Sequence, residues 1–75
     1  GGREGIIFEL KIVNLVEKLE KDNLKKKLEK ECEIALRQID EKKYSSVLRN
    51  AGVEKVLKIG IAFLGKEFEV KFDRD

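Results

Sequence analysis

The chain has 75 residues, enough for one small domain whose core is marginal without a partner surface. Hydrophobic residues make up 41% and charged residues 43%, and 17 basic against 15 acidic side chains leave a net charge of +2, too even to announce nucleic-acid or membrane binding by itself. The single cysteine, Cys32, excludes an internal disulfide and points to a reducing, cytoplasmic setting; no apolar run approaches the ~20 residues of a membrane-spanning helix, and Gly1-Gly2-Arg3-Glu4 does not make a signal peptide.

The stretch GIIFELKIV, residues 5–13, is short, β-branched and apolar on both faces, the pattern of a central strand in a mixed or parallel sheet. Strand side chains alternate, so Ile6, Phe8, Leu10 and Ile12 share one face and Ile7, Glu9, Lys11 and Val13 the other. Asn14 with Glu17 three residues on predicts a short capped helix over Leu15, Val16 and Leu19. Asp22-Asn23 then offers a break and a new N-cap. From Leu24 a helical stripe runs through Leu28, Cys32, Ala35, Leu36 and Ile39, with Ile34 off it. The opposite face carries Lys25, Lys26, Glu29, Lys30, Glu33, Arg37 and Asp40 and is solvated.

Ser45-Ser46 restarts a short helix that Gly52 is placed to end. VLKIGIAF, residues 56–63, is a second strand, with Leu57, Ile59, Ile61 and Phe63 on one face and Val56, Lys58, Gly60 and Ala62 on the other. Leu64-Gly65-Lys66 is a hairpin turn. KEFEVKF, residues 66–72, turns Phe68, Val70 and Phe72 one way and Glu67, Glu69 and Lys71 the other, an edge strand with one wet face. The class is α/β: a small three-stranded mixed sheet in the order strand-helix-helix-strand-strand. A right-handed helical crossover makes the first two strands parallel, and the third is antiparallel to the second.

Three Glu-x-Lys triplets occur: Glu9-Leu10-Lys11, Glu41-Lys42-Lys43 and Glu69-Val70-Lys71. The second lies at a helix end, where residues two apart do not share a face, and the third on an amphipathic edge strand. Only Glu9 and Lys11 sit inside an apolar strand, where a charge is costly unless it is paired or used. One reading is an ion pair covered by a charge from a helix. The other is chemical: the Glu9 carboxylate and the Leu10 backbone carbonyl offer hard oxygens to Mg²⁺ or Mn²⁺, and Lys11 can orient water or offset charge at phosphorus. Lys25, Lys26 and Lys27, with Lys42 and Lys43, are either phosphate contacts or a solvated helix face.

GIIFELKIV, ALRQIDEKKYSSVLRNAG and VLKIGIAFLGKEFEVKF, taken together, resemble the PD-(D/E)xK nuclease superfamily. The resemblance is to the C-terminal nuclease-like domain of prokaryotic proteins with an N-terminal AAA-ATPase-like domain, and it covers most of residues 5–72. It implies a fragment of a restriction-endonuclease-like fold and an ancestral metal-dependent hydrolysis of DNA phosphodiesters using Mg or Mn. Glu9 and Lys11 match (D/E)xK, which implies a metal-ligand role for Glu9 and a catalytic role for Lys11. Gln38 matches the helix glutamine beside the site, and Tyr44 the family's tyrosine; six residues apart, the two do not share a helix face. The other reading makes Gln38 a polar helix residue at the sheet edge and Tyr44 a packing residue at a helix end.

The motif's first acidic residue sits on a strand preceding (D/E)xK, and only Gly1 to Glu4 precede this one. With no Met, the chain reads as a fragment or processed product, residues 5–73 forming one partial domain behind a disordered or added tail at residues 1–4. The chain alone is expected to be inactive, and the open edge of the Glu9 strand to invite a homodimer by strand pairing or swapping. A non-catalytic domain on the same fold, binding nucleic acid or a protein, is the alternative. The lack of Pro, His, Met and Trp beside abundant Lys and Glu also fits a designed mini-protein or a thermophilic source.

Overall fold

The computed structural model describes residues 2–14 and 18–74. Its elements are β1 (Arg3–Ile12), α1 (Lys21–Glu41), α2 (Tyr44–Asn50), β2 (Val53–Leu64) and β3 (Glu67–Arg74). β1 pairs parallel with β2, and β2 antiparallel with β3. This is the expected α/β, three-stranded mixed sheet, consistent with a small fragment of a restriction-endonuclease-like fold. One expectation changes: the strand order β1-β2-β3 makes β2 central and leaves β1 at an edge among the described residues.

α1 forms where the apolar stripe predicts it. Leu28, Cys32, Ala35 and Ile39 are buried, and Leu24 and Leu36 pack beside them. It starts earlier than Asp22-Asn23 suggests, with Glu20 in the N-cap position; Asp22 falls in the first turn, where a carboxylate complements the helix dipole. Of the short helix expected after Asn14, Leu15, Val16 and Glu17 lie outside the described residues, and residues 18–20 have no regular structure. α2 follows a left-handed residue, Lys43 (φ 56°), and Gly52 (φ +92°) stands just past its end. Gly65 and Lys66 join β2 to β3, with Gly65 at φ +58°, the sign that primed hairpin turns require at their first position.

The core lies between α1 and one face of the sheet, in two clusters. Val13, Leu28, Cys32 and Ala62 form one; Ile7, Ile39 and Val56 form the other, with Leu36, Leu48 and Val53 against it. Gly60 sits between them at the closest approach of helix and strand: a Cβ built there would stand 2.5 Å from the carbonyl oxygen of Cys32.

Among the described residues nothing packs on the other face of the sheet. Register aligns Ile6, Leu57 and Arg74 in one row, then Phe8, Ile59 and Phe72, then Leu10, Ile61 and Val70, then Ile12, Phe63 and Phe68. Eleven of these twelve positions are apolar. The β1 members stand 56–80% exposed, and Phe68 and Phe72 stand 62% and 69% exposed. The wet face of β3 is thus its aromatic face, whereas Glu69 and Lys71 are half-buried on the α1 side, where Lys71 donates to Glu33 at 2.8 Å.

Candidate functional site

Glu9 and Lys11 lie on the helix side of β1, as strand alternation requires. Ile7 and Val13 flank them, and each belongs to a different core cluster, so the two charged residues occupy the polar gap between the clusters. In register Glu9 faces Gly60 and Lys11 faces Ala62, the smallest residues on β2, and α1 packs down onto both.

The Glu9 carboxylate is only 19% exposed, and its Oε1 accepts a hydrogen bond from Lys42 Nζ at 3.2 Å. Lys42 caps the C-terminus of α1. Its ammonium also lies 5.9 Å from the centroid of the Tyr44 ring, within cation–π range. Tyr44 is 43% exposed. Gln38 sits one turn before Lys42 on the same side of α1, and its Oε1 is buried without a hydrogen-bond partner. The structure thus places Glu9, Lys11 and Lys42 along one side of the layer interface, with Gln38 a helical turn from Lys42.

A second ion pair flanks the first. Lys58 is buried on the helix face of β2, two residues before Gly60, and donates to Asp40 Oδ1 at 2.7 Å. Sequence reasoning put Lys58 on the correct face but gave it no role. The signal was a lone charge among Val56, Gly60 and Ala62, which a nearby carboxylate must answer. Lys42 was read only as a phosphate candidate; its partner Glu9 is 33 residues away, beyond any local spacing rule. Lys27, another of those candidates, pairs with Glu31 one turn on, at 3.0 Å.

The donors do not assemble a metal site by themselves. No group of three or more His, Cys, Asp or Glu residues converges among the described residues. Glu9 is one carboxylate, and an ammonium already holds one of its oxygens. The Val13 N–H bonds to the Phe63 carbonyl at 2.7 Å, so odd-numbered residues of β1 direct their backbone groups to β2. The Leu10 carbonyl therefore lies toward the outer edge of β1, in the plane of the sheet, while the Glu9 side chain rises on the helix side. Mg²⁺ asks for near-octahedral oxygens, which this pair does not provide. Lys42 fixes the Glu9 charge and Asp40 holds Lys58, while Lys11 lies beside Glu9 on the same face of β1.

Among the described residues no helix is long and apolar enough to cross a membrane. The family model for the PD-(D/E)XK nuclease superfamily matches residues 3–73. No curated protein and no solved structure matches the chain.

Proposed function

The chain belongs to the PD-(D/E)XK nuclease superfamily, and from that premise we propose that β1 is its (D/E)xK strand, part of a domain that hydrolyses DNA phosphodiesters in the natural gene product. The observation that carries this reading is Glu9 and Lys11 side by side on the helix face of β1, opposite Gly60 and Ala62 and flanked by the apolar Ile7 and Val13. Lys11 brings the ammonium that meets charge developing on a phosphate oxygen. Gln38 adds an unpaired amide oxygen on the flanking helix.

Nucleases of this superfamily generally use divalent metals. Among the described residues Glu9 is the one carboxylate beside Lys11 on β1, so Mg or Mn chemistry requires donors beyond Glu9 and Leu10, and no cleavage is expected of the 75-residue chain alone. An AAA-ATPase-like neighbouring domain, a prokaryotic source and a cytoplasmic setting belong to the same proposal. Plasmid cleavage with Mn²⁺ by the natural gene product, beside Lys11→Ala, tests the reading. The expected result is cleavage that falls about a hundredfold or more in the variant. Undiminished cleavage removes Lys11 from the chemistry.

The Lys42–Glu9 ion pair favours a second reading, a non-catalytic domain on the same fold that binds nucleic acid or a protein. Neither protein cleaving, with both folded, selects it; DNA affinity that falls as salt rises then identifies phosphate contacts.

A further inference from the structure

We propose that the bare face of the sheet is a self-association surface, on which two copies of this chain pack face to face about a two-fold axis parallel to the strands. The inference does not draw on the Glu9–Lys11 site.

The first argument is area. The exposed fractions of Ile6, Phe8, Leu10, Ile12, Phe68 and Phe72, with lesser parts of their row neighbours, add up to roughly 1,000 Å² of apolar surface, taking about 200 Å² for a large side chain. The largest apolar patch on a typical monomer is about 300–600 Å². A stable interface needs about 800 Å² per partner, which this face supplies. Two sheets facing each other at about 10 Å, nearly aligned, bury such faces in full.

The second argument is self-complementarity. An axis parallel to the strands lays β1 of one copy over β3 of the other, at the same height. Each row then meets itself reversed. Phe8 meets the partner's Phe72, Leu10 the partner's Val70, and Ile12 the partner's Phe68. The one charged member of the grid, Arg74, arrives over the partner's Ile6, beside the partner's Glu4 on the same face. A hollow of about 420 Å³ lined by Glu4, Ile6, Leu57 and Arg74 lies at this corner and offers room for the guanidinium. By symmetry the Arg–Glu contact forms twice. The other in-plane axis, perpendicular to the strands, sets Arg74 over the partner's Phe68 and gives it no carboxylate.

Sedimentation equilibrium of the 75-residue chain over a concentration series tests this. The expected species has twice the chain mass of 8.7 kDa. Ile59→Glu places a carboxylate in the middle of the face, between Phe8 and Phe72 in register, and should give a monomer with an unchanged circular-dichroism spectrum. Glu4→Arg, on the exposed rim and safe for the fold, should weaken association about tenfold, because the pair is lost twice. Adding Arg74→Glu should restore it to within about threefold. A monomer at every concentration overturns the proposal and leaves the face to another chain or to another segment of the natural gene product. A dimer indifferent to both Ile59→Glu and Glu4→Arg also overturns it, and assigns association to another surface such as the outer edge of β1. If Ile59→Glu fails to fold, the rim pair decides, and loss without rescue rejects the axis.

Discussion

At the scale of single residues, Gly60 controls how close the layers come. A Cβ there would meet the Cys32 carbonyl at 2.5 Å and the Ala35 Cβ at 3.1 Å, so α1 must lift or bend to admit it. Gly60→Ala is expected to lower the unfolding free energy by about 1–3 kcal/mol, read from the urea midpoint. The Glu33–Lys71 pair is exposed and is best read through pH. The hydrogen bond from Lys71, and then its charge, hold the Glu33 carboxyl below its ordinary 4.5. Its stabilising contribution is present above pH 4.5 and is lost as pH falls through the depressed folded value. The same hydrogen bond raises Lys71 above 10.5, so the lysine's contribution is present below that pH and lost as pH rises through the raised value. Glu33→Gln should therefore flatten the acid limb of a stability–pH curve below 4.5, measured by urea unfolding at stepped pH. If the acid limb keeps its slope in the variant, Glu33 is not one of the groups that shape it.

At the scale of elements, periodicity reads well and partnership does not. The stripe from Leu24 to Ile39 is legible because a 3.6-residue period needs no knowledge of the partner. The same holds for the shared face of Glu9 and Lys11, which follows from a period of two. The parallel pairing of β1 and β2 follows from the length of the helical crossover between them. What period alone cannot reveal is which of two apolar faces is covered. β1 reads as central because both faces are apolar, yet only Ile7 and Val13 meet the helix, while Ile6, Phe8, Leu10 and Ile12 face outward. β3 reads with its charged face simply wet, yet Glu33 on α1 ties Lys71 to the helix layer. Lys42 on Glu9 is illegible for the same reason: the contact crosses two elements. The junction between α1 and α2 carries its own prediction. Lys43 holds a left-handed backbone at φ 56°, a conformation that costs a side-chain-bearing residue about 1–2 kcal/mol. Lys43→Gly removes that cost and adds chain entropy of about 0.5–1 kcal/mol to the unfolded state. The expected net gain is about 0.5–1 kcal/mol in thermal or urea unfolding, and a loss would mean that the Lys43 side chain contributes to the fold.

At the scale of the whole molecule, the fold is elongated, 47 × 21 × 15 Å along its principal axes. Its Cα radius of gyration is 14.5 Å, against about 11 Å for a compact domain of this size. One helix layer covers one side of a sheet, and the other side waits for a cover. If a second copy supplies it, folding and association are linked, and the melting temperature should climb with protein concentration. A tenfold dilution should lower the midpoint of the native chain and leave that of Ile59→Glu where it is.

The tight seam at Gly60 has a kinetic consequence. Cys32 lies at that seam with no exposed surface, and its Sγ donates to the Glu69 carbonyl at 3.2 Å. Burial also pushes its thiol pKa up, which starves the reactive thiolate. A disulfide reagent in solution can reach this sulfur only when α1 parts from the strands. The modification rate of this single thiol is therefore a clock for that opening, and under increasing urea it separates local parting of the layers from complete unfolding.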